Sequence, residues 1–232
     1  MKRLEQNIQT ELASAIGKLL REKFGKGPES IFVSCHKPFF TIYLRNFLSP
    51  MEQVLVDEKQ EETVLKTRDI LMKTLIPEIK AYIKIVTGTE IQEFYYDWSF
   101  HNKSGIFIGI SADSKNENKN VDEYEGKKEI HREMISITQH VQKTPQEVQS
   151  YLLNPRTLVV VRKGILVAIE KELNRLGYQQ ILEIAKRNLE KRLLHNNNHF
   201  EELLNSKVID IFLDWDYDKD KSVTVFILNP NK

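Results

Sequence analysis

The sequence predicts an α+β protein of two like domains, each a small antiparallel sheet of about four strands with helices packed on one face. Three observations lead there. The only two tryptophans each follow an aspartate, in YYDWSFHNKS (Tyr95 to Ser104) and FLDWDYDKDKS (Phe212 to Ser222), which sets Asp97–Trp98 and Asp214–Trp215 117 positions apart. The same offset lays Lys26 on Lys143, Pro28 on Pro145, Pro38 on Pro155 and Arg45 on Arg162; one added residue then puts Leu48 on Leu166, Glu52 on Glu170 and Leu55 on Leu173. Finally, one coarse pattern of helix, strands, helices and closing hairpin occurs twice. Self-similarity at a fixed offset is the signature of a tandem repeat. The copies are assigned to residues 1–111 and 127–232, with the polar stretch ADSKNENKNVDEYEG, 112–126, as linker.

In the first copy Leu12, Ile16, Leu20 and Phe24 share a helical face over about residues 4–24, stopped by Gly25 and Gly27 with Pro28 beyond. Strands follow over about 29–35 and 39–47. Ser49–Pro50 reads as an N-cap with proline at the first helical position. A long helix over about 61–86 carries Val64, Leu71, Leu75, Ile79 and Ile83 as its stripe; Pro77, lacking a donor, is expected to kink it or begin a new segment. Residues 90–98 and 105–110 form the hairpin. The second copy repeats this with a helix near 127–141, a strand near 158–163, helices over about 166–194 and a hairpin of 208–215 with 222–228. QEVQSYLL, residues 146–153, reads poorly as a strand and is expected to be a helical turn.

A chain of 232 residues suits two domains of about 115 each. Hydrophobic residues make up 41% and charged residues 29%, the balance of a globular protein. With 34 basic and 33 acidic side chains, nothing in the overall charge recommends nucleic acid or an anionic membrane as partner. No apolar run approaches the roughly 20 residues that span a bilayer, so direct membrane insertion is not expected. The opening residues lack the apolar core of a signal peptide. Cys35 is the only cysteine, which excludes an internal disulfide and suits a reducing, cytoplasmic compartment.

Alternation along the strands separates two faces. Phe40, Ile42 and Leu44, with Phe94, Tyr96 and Trp98, are assigned to the helix-covered core; in the second copy Val159, Val161, Ile211, Leu213 and Trp215 take that place. The other face then carries Thr41, Tyr43, Arg45, Glu93, Tyr95 and Asp97, and Leu158, Val160, Arg162, Asp210, Phe212 and Asp214. Its half-apolar character marks Tyr43, Tyr95, Asp97, Phe212 and Asp214 as interface candidates, either between the copies or with another chain. Arg45 with Asp97, and Arg162 with Asp214, are placed to form ion pairs that fix sheet geometry; the sharper alternative is that the arginines meet an anion.

Other motifs fail on chemistry. DWDYDKD at Asp214–Asp220 begins like a calcium loop, but Lys219 stands where glycine is needed and Val225 where a bidentate glutamate is needed. His195 and His199 are four apart, yet the glutamate of a zinc-protease helix is missing. Cys35 and His36 are adjacent strand residues and point to opposite faces, poorly placed to share a proton. No metal, cofactor or catalytic constellation is read. GKGPES is no Walker loop, though its turn at Gly25, Lys26 and Gly27 can present backbone donors to an anion.

The run of GKGP at Gly25–Pro28, a second strand ending at Arg45, LSPMEQVLV with Leu48 and Glu52, TRDIL with Arg68, and a closing hairpin resembles the bacterial MpsC-like family. The first half, about 1–111, resembles it well; the second, about 127–229, keeps Arg162, Leu166 and Glu170 but has Gln-Lys-Thr-Pro for GKGP. The resemblance implies an accessory cytoplasmic role beside a membrane cation or bicarbonate transport system, in a chain that fuses two domains of a kind often found singly. The expected function is a non-enzymatic interaction or regulatory module with a protein partner or self-association. The alternative is a small-anion or metabolite sensor using Gly25, Lys26, Gly27, Arg45 and Arg162. An enzyme centred on Cys35 and His36 is the third reading.

Overall fold

The computed structural model describes residues 2–112, 123–197 and 199–230, with side chains from Gln6 onward; most of the expected linker, 113–122, lies outside them. Two compact units divide the chain, Met1–Glu117 and Asn118–Lys232. In the first, helix α1 (Lys2–Phe24) leads into strands β1 (Ser30–His36) and β2 (Phe39–Arg45), helices α2 (Pro50–Asp57) and α3 (Glu61–Thr87), and strands β3 (Ile91–Ser99) and β4 (Ser104–Ser111). The second repeats it with α4 (Lys127–Val141), β5 (Glu147–Asn154), β6 (Thr157–Lys163), α5 (Ala168–Arg175), α6 (Gln179–His195), a short α7 (His199–Leu203), β7 (Ser206–Asp216) and β8 (Lys221–Pro230). Both sheets are four-stranded and antiparallel, ordered β1-β2-β4-β3 and β5-β6-β8-β7. This is the duplicated α+β fold that the sequence predicts.

Local chemistry sets the elements. Ser49 caps α2 through a reciprocal pair: its hydroxyl accepts from the Glu52 amide at 3.3 Å, and the Glu52 carboxylate accepts from the Ser49 amide at 2.8 Å. Helix α3 ends at Gly88, whose φ of 71° is left-handed and whose N–H reaches the Lys84 carbonyl at 2.9 Å. Pro77 sits inside α3 without starting a new segment; its ring is on the exposed side. In the first unit α1 and α3 bury Leu12, Ile16, Leu20, Met72, Leu75, Ile79 and Ile83 against Phe40, Ile42, Leu44, Trp98 and Phe107 of the sheet. In the second, Ile130, Met134, Leu182 and Leu194 meet Leu158, Val160, Ile211, Leu213, Trp215 and Phe226. β3 and β7 even share an irregularity, between Ile91 and Glu93 and between Val208 and Asp210.

Two expectations are corrected here. QEVQSYLL is not a helical turn: residues 147–154 form β5, paired along β6, because sheet pairing outweighs the weak strand preference of its Gln, Ser and Glu. The pairing of β5 with β6 shifts between Leu152 and Asn154. That bulge absorbs the extra residue of the second copy, so the offset is already 118 when β6 begins. A one-residue slip turns a strand over. Leu158 and Val160 therefore lie in the helix-covered core, and Arg162 points with them toward the helices. Arg162 corresponds to Leu44; the true partner of Arg45 is Lys163, each lying opposite the first residue of its neighbouring strand, Ser30 and Glu147.

Arg162 does not reach for Asp214. Its guanidinium meets Glu190 of α6 in a two-point pair, 2.9 Å on each arm, and donates to the Thr138 hydroxyl of α4 at 2.7 Å. Both charged side chains are fully buried. In the first unit the corresponding positions are Leu44 and Met72, two core hydrophobes. A buried pair is stabilising only relative to its own broken halves; a well-packed apolar pair of similar volume does as well or better. Arg162→Leu alone or Glu190→Met alone is therefore expected to cost about 3–5 kcal/mol by leaving an uncompensated buried charge. The double substitution, which imports the first unit's pair, should recover most of that loss in urea unfolding. Additive losses in the double variant would contradict the pairing.

Candidate functional site

Each unit closes the same end of its core around a buried cation. In the first, Arg68 of α3 gives Nε to Glu52 Oε1 at 2.8 Å, and one Nη to Glu52 Oε2 at 3.0 Å and to the Phe47 carbonyl at 2.9 Å. Its guanidinium lies 4.3 Å from the centre of the Trp98 ring, with Phe47, Phe24 and Phe100 at 5.0, 5.6 and 5.6 Å. The capping glutamate is thus also the counter-ion, and the tryptophan is the floor. In the second unit Lys186 replaces Arg68: Nζ stands 3.0 Å from Glu170 Oε1, and 5.0 and 5.2 Å from the centres of the Trp215 and Tyr217 rings. Glu170 likewise accepts from the amide that opens α5, Val167 N–H, at 2.9 Å. A lysine is a point charge, whereas arginine supplies a fork that meets Glu52 at two points.

The aspartates before the tryptophans are part of this unit. Asp97 Oδ1 accepts from the Trp98 amide and Asp214 Oδ1 from the Trp215 amide, each at 2.8 Å. Across the hairpin Gly105 faces Trp98 so closely that a Cβ there would stand 2.4 Å from the ring, which is why β4 has glycine at this point.

Electrostatics follow the packing. Burial alone would raise the Glu52 carboxyl, but the hydrogen bonds and charge of Arg68, with the Ser49 cap, outweigh it and hold the group below its ordinary value. The Lys186 ammonium is pushed down by burial, partly opposed by Glu170.

Next to this cluster, at the surface, the β1–β2 end and the β3–β4 turn of the first unit form a polar pocket of about 300 Å³ lined by Glu29, Ser30, Arg45, Asn46, His101, Asn102 and Lys103. Asn46 and Lys103 both have left-handed backbones, with φ of 49° and 51°. The Phe47 amide donates to the Lys103 carbonyl at 2.7 Å, which ties the two edges of the pocket together.

Of the residues the sequence nominated for an anion, Arg45 lines this pocket and is exposed. Lys26 is spent internally, its ammonium on the Leu48 carbonyl at 2.9 Å, and Gly25 and Gly27 flank it in the turn after α1. Arg162 is in the other unit's core. Tyr43, Tyr95 and Asp97 in the first unit, and Phe212 and Asp214 in the second, alternate with the helix-covered core residues of their strands. Cys35 packs against the first core and His36 alternates away from it. In the DWDYDKD turn Asp216 pairs with Lys219 at 3.1 Å, and Asp220 accepts from the Ile165 and Leu166 amides at 2.8 and 2.7 Å. His195 ends α6 and His199 begins α7, where it meets Glu133 at 3.2 Å.

Sequence reasoning missed Arg68 and Lys186 as a pair, although the offset of 118 that joins Glu52 to Glu170 joins them too. It read His101 and Lys103 only as a hairpin tip.

The family model described as Na+-translocating membrane potential-generating system (MpsC) matches residues 5–113 and again residues 124–230. The chain belongs to the MpsC family. It carries two MpsC domains in tandem, each one of the two α+β units described above. No curated protein and no solved structure matches the chain.

A carboxyl held below its unfolded value lends stability above that value and loses it as the pH falls through the folded one. In the first MpsC domain Arg68→Met leaves Glu52 desolvated without its cation, so its carboxyl titrates higher. Measured by urea unfolding across a pH series, the deficit against wild type should be largest near neutrality, about 3–5 kcal/mol, and should shrink as the pH falls through the carboxylate range, where protonation removes the variant's stranded charge and the wild type's ion pair alike. A loss of the same size at every pH would show that Arg68 acts through packing alone.

Proposed function

We propose that the chain is a non-enzymatic interaction or regulatory module, accessory to the membrane-embedded components of a sodium-translocating, potential-generating system. The family description names such a system. Among the described residues no helix is long and apolar enough to cross a membrane, which supports a place beside a membrane part.

The observation that carries the reading is a set of exposed apolar side chains on and around the short helix of each domain, most of them in the second. Helix α2 buries none of its residues and exposes Met51 and Val54, at 77% and 61%. The position of Met51 is held in the second domain by Ile169, 64% exposed. There the elbow between α5 and α6 adds Leu176, Tyr178 and Ile181, each more than half exposed. Scattered apolar side chains are ordinary on a surface, but four within thirteen residues of one elbow make a patch suited to an apolar partner segment. The capping glutamates Glu52 and Glu170 hold both short helices in place from beneath. The compartment expected of such a module is the cytoplasm, where a free cysteine is stable.

The test is co-purification with the membrane components, wild type beside the double variant Ile169→Asp, Ile181→Asp. Both side chains are exposed, so folding stability should change by no more than about 0.5 kcal/mol each. Binding should weaken by about tenfold or more, the loss expected when an interface anchor is removed. Undiminished co-purification by a normally folded double variant would sink the reading.

A further inference from the structure

The two domains place the same seven backbone positions around the end of β2 and β6, and fill them with opposite charge. In the second domain the positions are Gln146, Glu147, Lys163, Gly164, Asp218, Lys219 and Asp220: two cations against three carboxylates. Four of the five charged side chains there have an internal use, all but the exposed Asp218. Glu147 neutralises Lys163 across the strands at 2.8 Å, Lys219 meets Asp216 at 3.1 Å, and Asp220 takes Lys171 at 2.9 Å besides its two backbone amides. In the first domain the positions are Glu29, Ser30, Arg45, Asn46, His101, Asn102 and Lys103: two cations and a histidine against one carboxylate.

The difference is concentrated on Arg45. Its register partner is Ser30, where Lys163 has Glu147. The one acid of the pocket, Glu29, accepts from the Asn46 amide group at 2.6 Å. Among the described residues no hydrogen bond or ion pair engages the side chain of Arg45, His101 or Lys103. The backbone around them is nonetheless fixed: the Glu29 amide bonds the Arg45 carbonyl at 3.0 Å, and the Phe47 amide bonds the Lys103 carbonyl at 2.7 Å. Three donor groups on two rigidly joined segments thus line one pocket of about 300 Å³, with a serine hydroxyl beside them.

We propose that this pocket of the first domain binds a small free oxyanion, phosphate or a compact carboxylate, on the guanidinium fork of Arg45 with Lys103 and His101 as further donors. The ligand takes the role that Glu147 plays for Lys163. A pocket of about 300 Å³ has room for such an ion. The inference stands independently of the membrane-complex reading.

The experiment titrates inorganic phosphate, and separately acetate, into the full chain by isothermal calorimetry at low ionic strength. The wild type is compared with Arg45→Ala, with Ser30→Glu and with Lys163→Ala. Ser30→Glu keeps Arg45 but supplies the second domain's own counter-ion, so it should block the site while leaving Arg45, His101 and Lys103 in place. Saturable binding of at least one of the two anions is expected in wild type and in Lys163→Ala. It should weaken by about tenfold or more in Arg45→Ala and in Ser30→Glu. Circular dichroism checks that the variants are folded, as expected for changes to an exposed arginine and a strand-end serine. Absence of saturable binding of both anions to wild type overturns the proposal. Binding that survives unchanged in both Arg45→Ala and Ser30→Glu overturns it as well.

Discussion

Each MpsC domain closes one end of its core on a buried cation, held by a helix-capping glutamate over an aromatic floor. Arg68 ties four elements that are distant in sequence: the start of α2 through Glu52, the end of β2 through the Phe47 carbonyl, α3 on which it sits, and the end of β3 through Trp98. A buried charge tolerates no loose arrangement, because each unmet donor or acceptor carries its full desolvation cost. The cap, the tryptophan and the glycine that makes room for it are therefore fixed together. Asp97 belongs to the same constraint, accepting from the amide of Trp98 just before the chain turns. The repeated Asp-Trp pair marks this closure written twice.

The same constraint explains why the exposed short helices and the Arg45 pocket can be kept in a definite shape. Helix α2 has eight residues and buries none of them. Its position comes from the glutamate on its first turn, which is gripped by Arg68. The pocket lies just beyond, bounded by the turn that follows Trp98 and by the end of β2, both of which the cluster holds. Rigid support under a surface element is what lets its side chains act as preformed partners rather than as a mobile fringe.

Much of this was legible in the sequence, and the failures have a common physical source. Helix stripes at Leu12, Ile16 and Leu20, or at Leu75, Ile79 and Ile83, declare themselves because burial of one helical face leaves a regular period. The Ser49–Pro50 cap and the stop at Gly88 are visible because so few residues suit those backbones. The β6 faces were not recoverable by counting. A single extra residue, taken up in the bulge of β5, turned a strand over while leaving Pro38 over Pro155 and Arg45 over Arg162 in a persuasive but accidental register. Val-rich β6 gave no alternation to correct it. The Arg68–Glu52 and Lys186–Glu170 pairs join residues sixteen apart across a loop, and no period connects them. The Arg45 pocket needed the sheet register to bring a strand end beside the 101–103 turn.

Comparison of the two domains separates what the fold requires from what it permits. Where the closure is concerned, the second domain keeps the acid and the tryptophan, and exchanges the cation, Arg68 for Lys186, the cap, Ser49 for Val167, and the residue opposite the tryptophan, Gly105 for Ser222. Deeper in the core, Arg162 and Glu190 stand where the first domain has Leu44 and Met72; either charge alone would be stranded in an apolar interior, so the pair is tolerated only as a pair. At the hairpin tip nothing of the kind operates. Both turns have the same length, and Lys103 and Asp220 share a left-handed backbone, yet one carries a cation and the other an anion. Solvent-facing charge at that point is not dictated by folding. In the second domain the acid is recruited inward, where Asp220 binds two backbone amides and a lysine; in the first, the cations face outward over a fixed pocket. The duplicated fold thus spends its freedom where charge is cheapest to change, and that is where a difference in what each domain meets can arise without disturbing how either one folds.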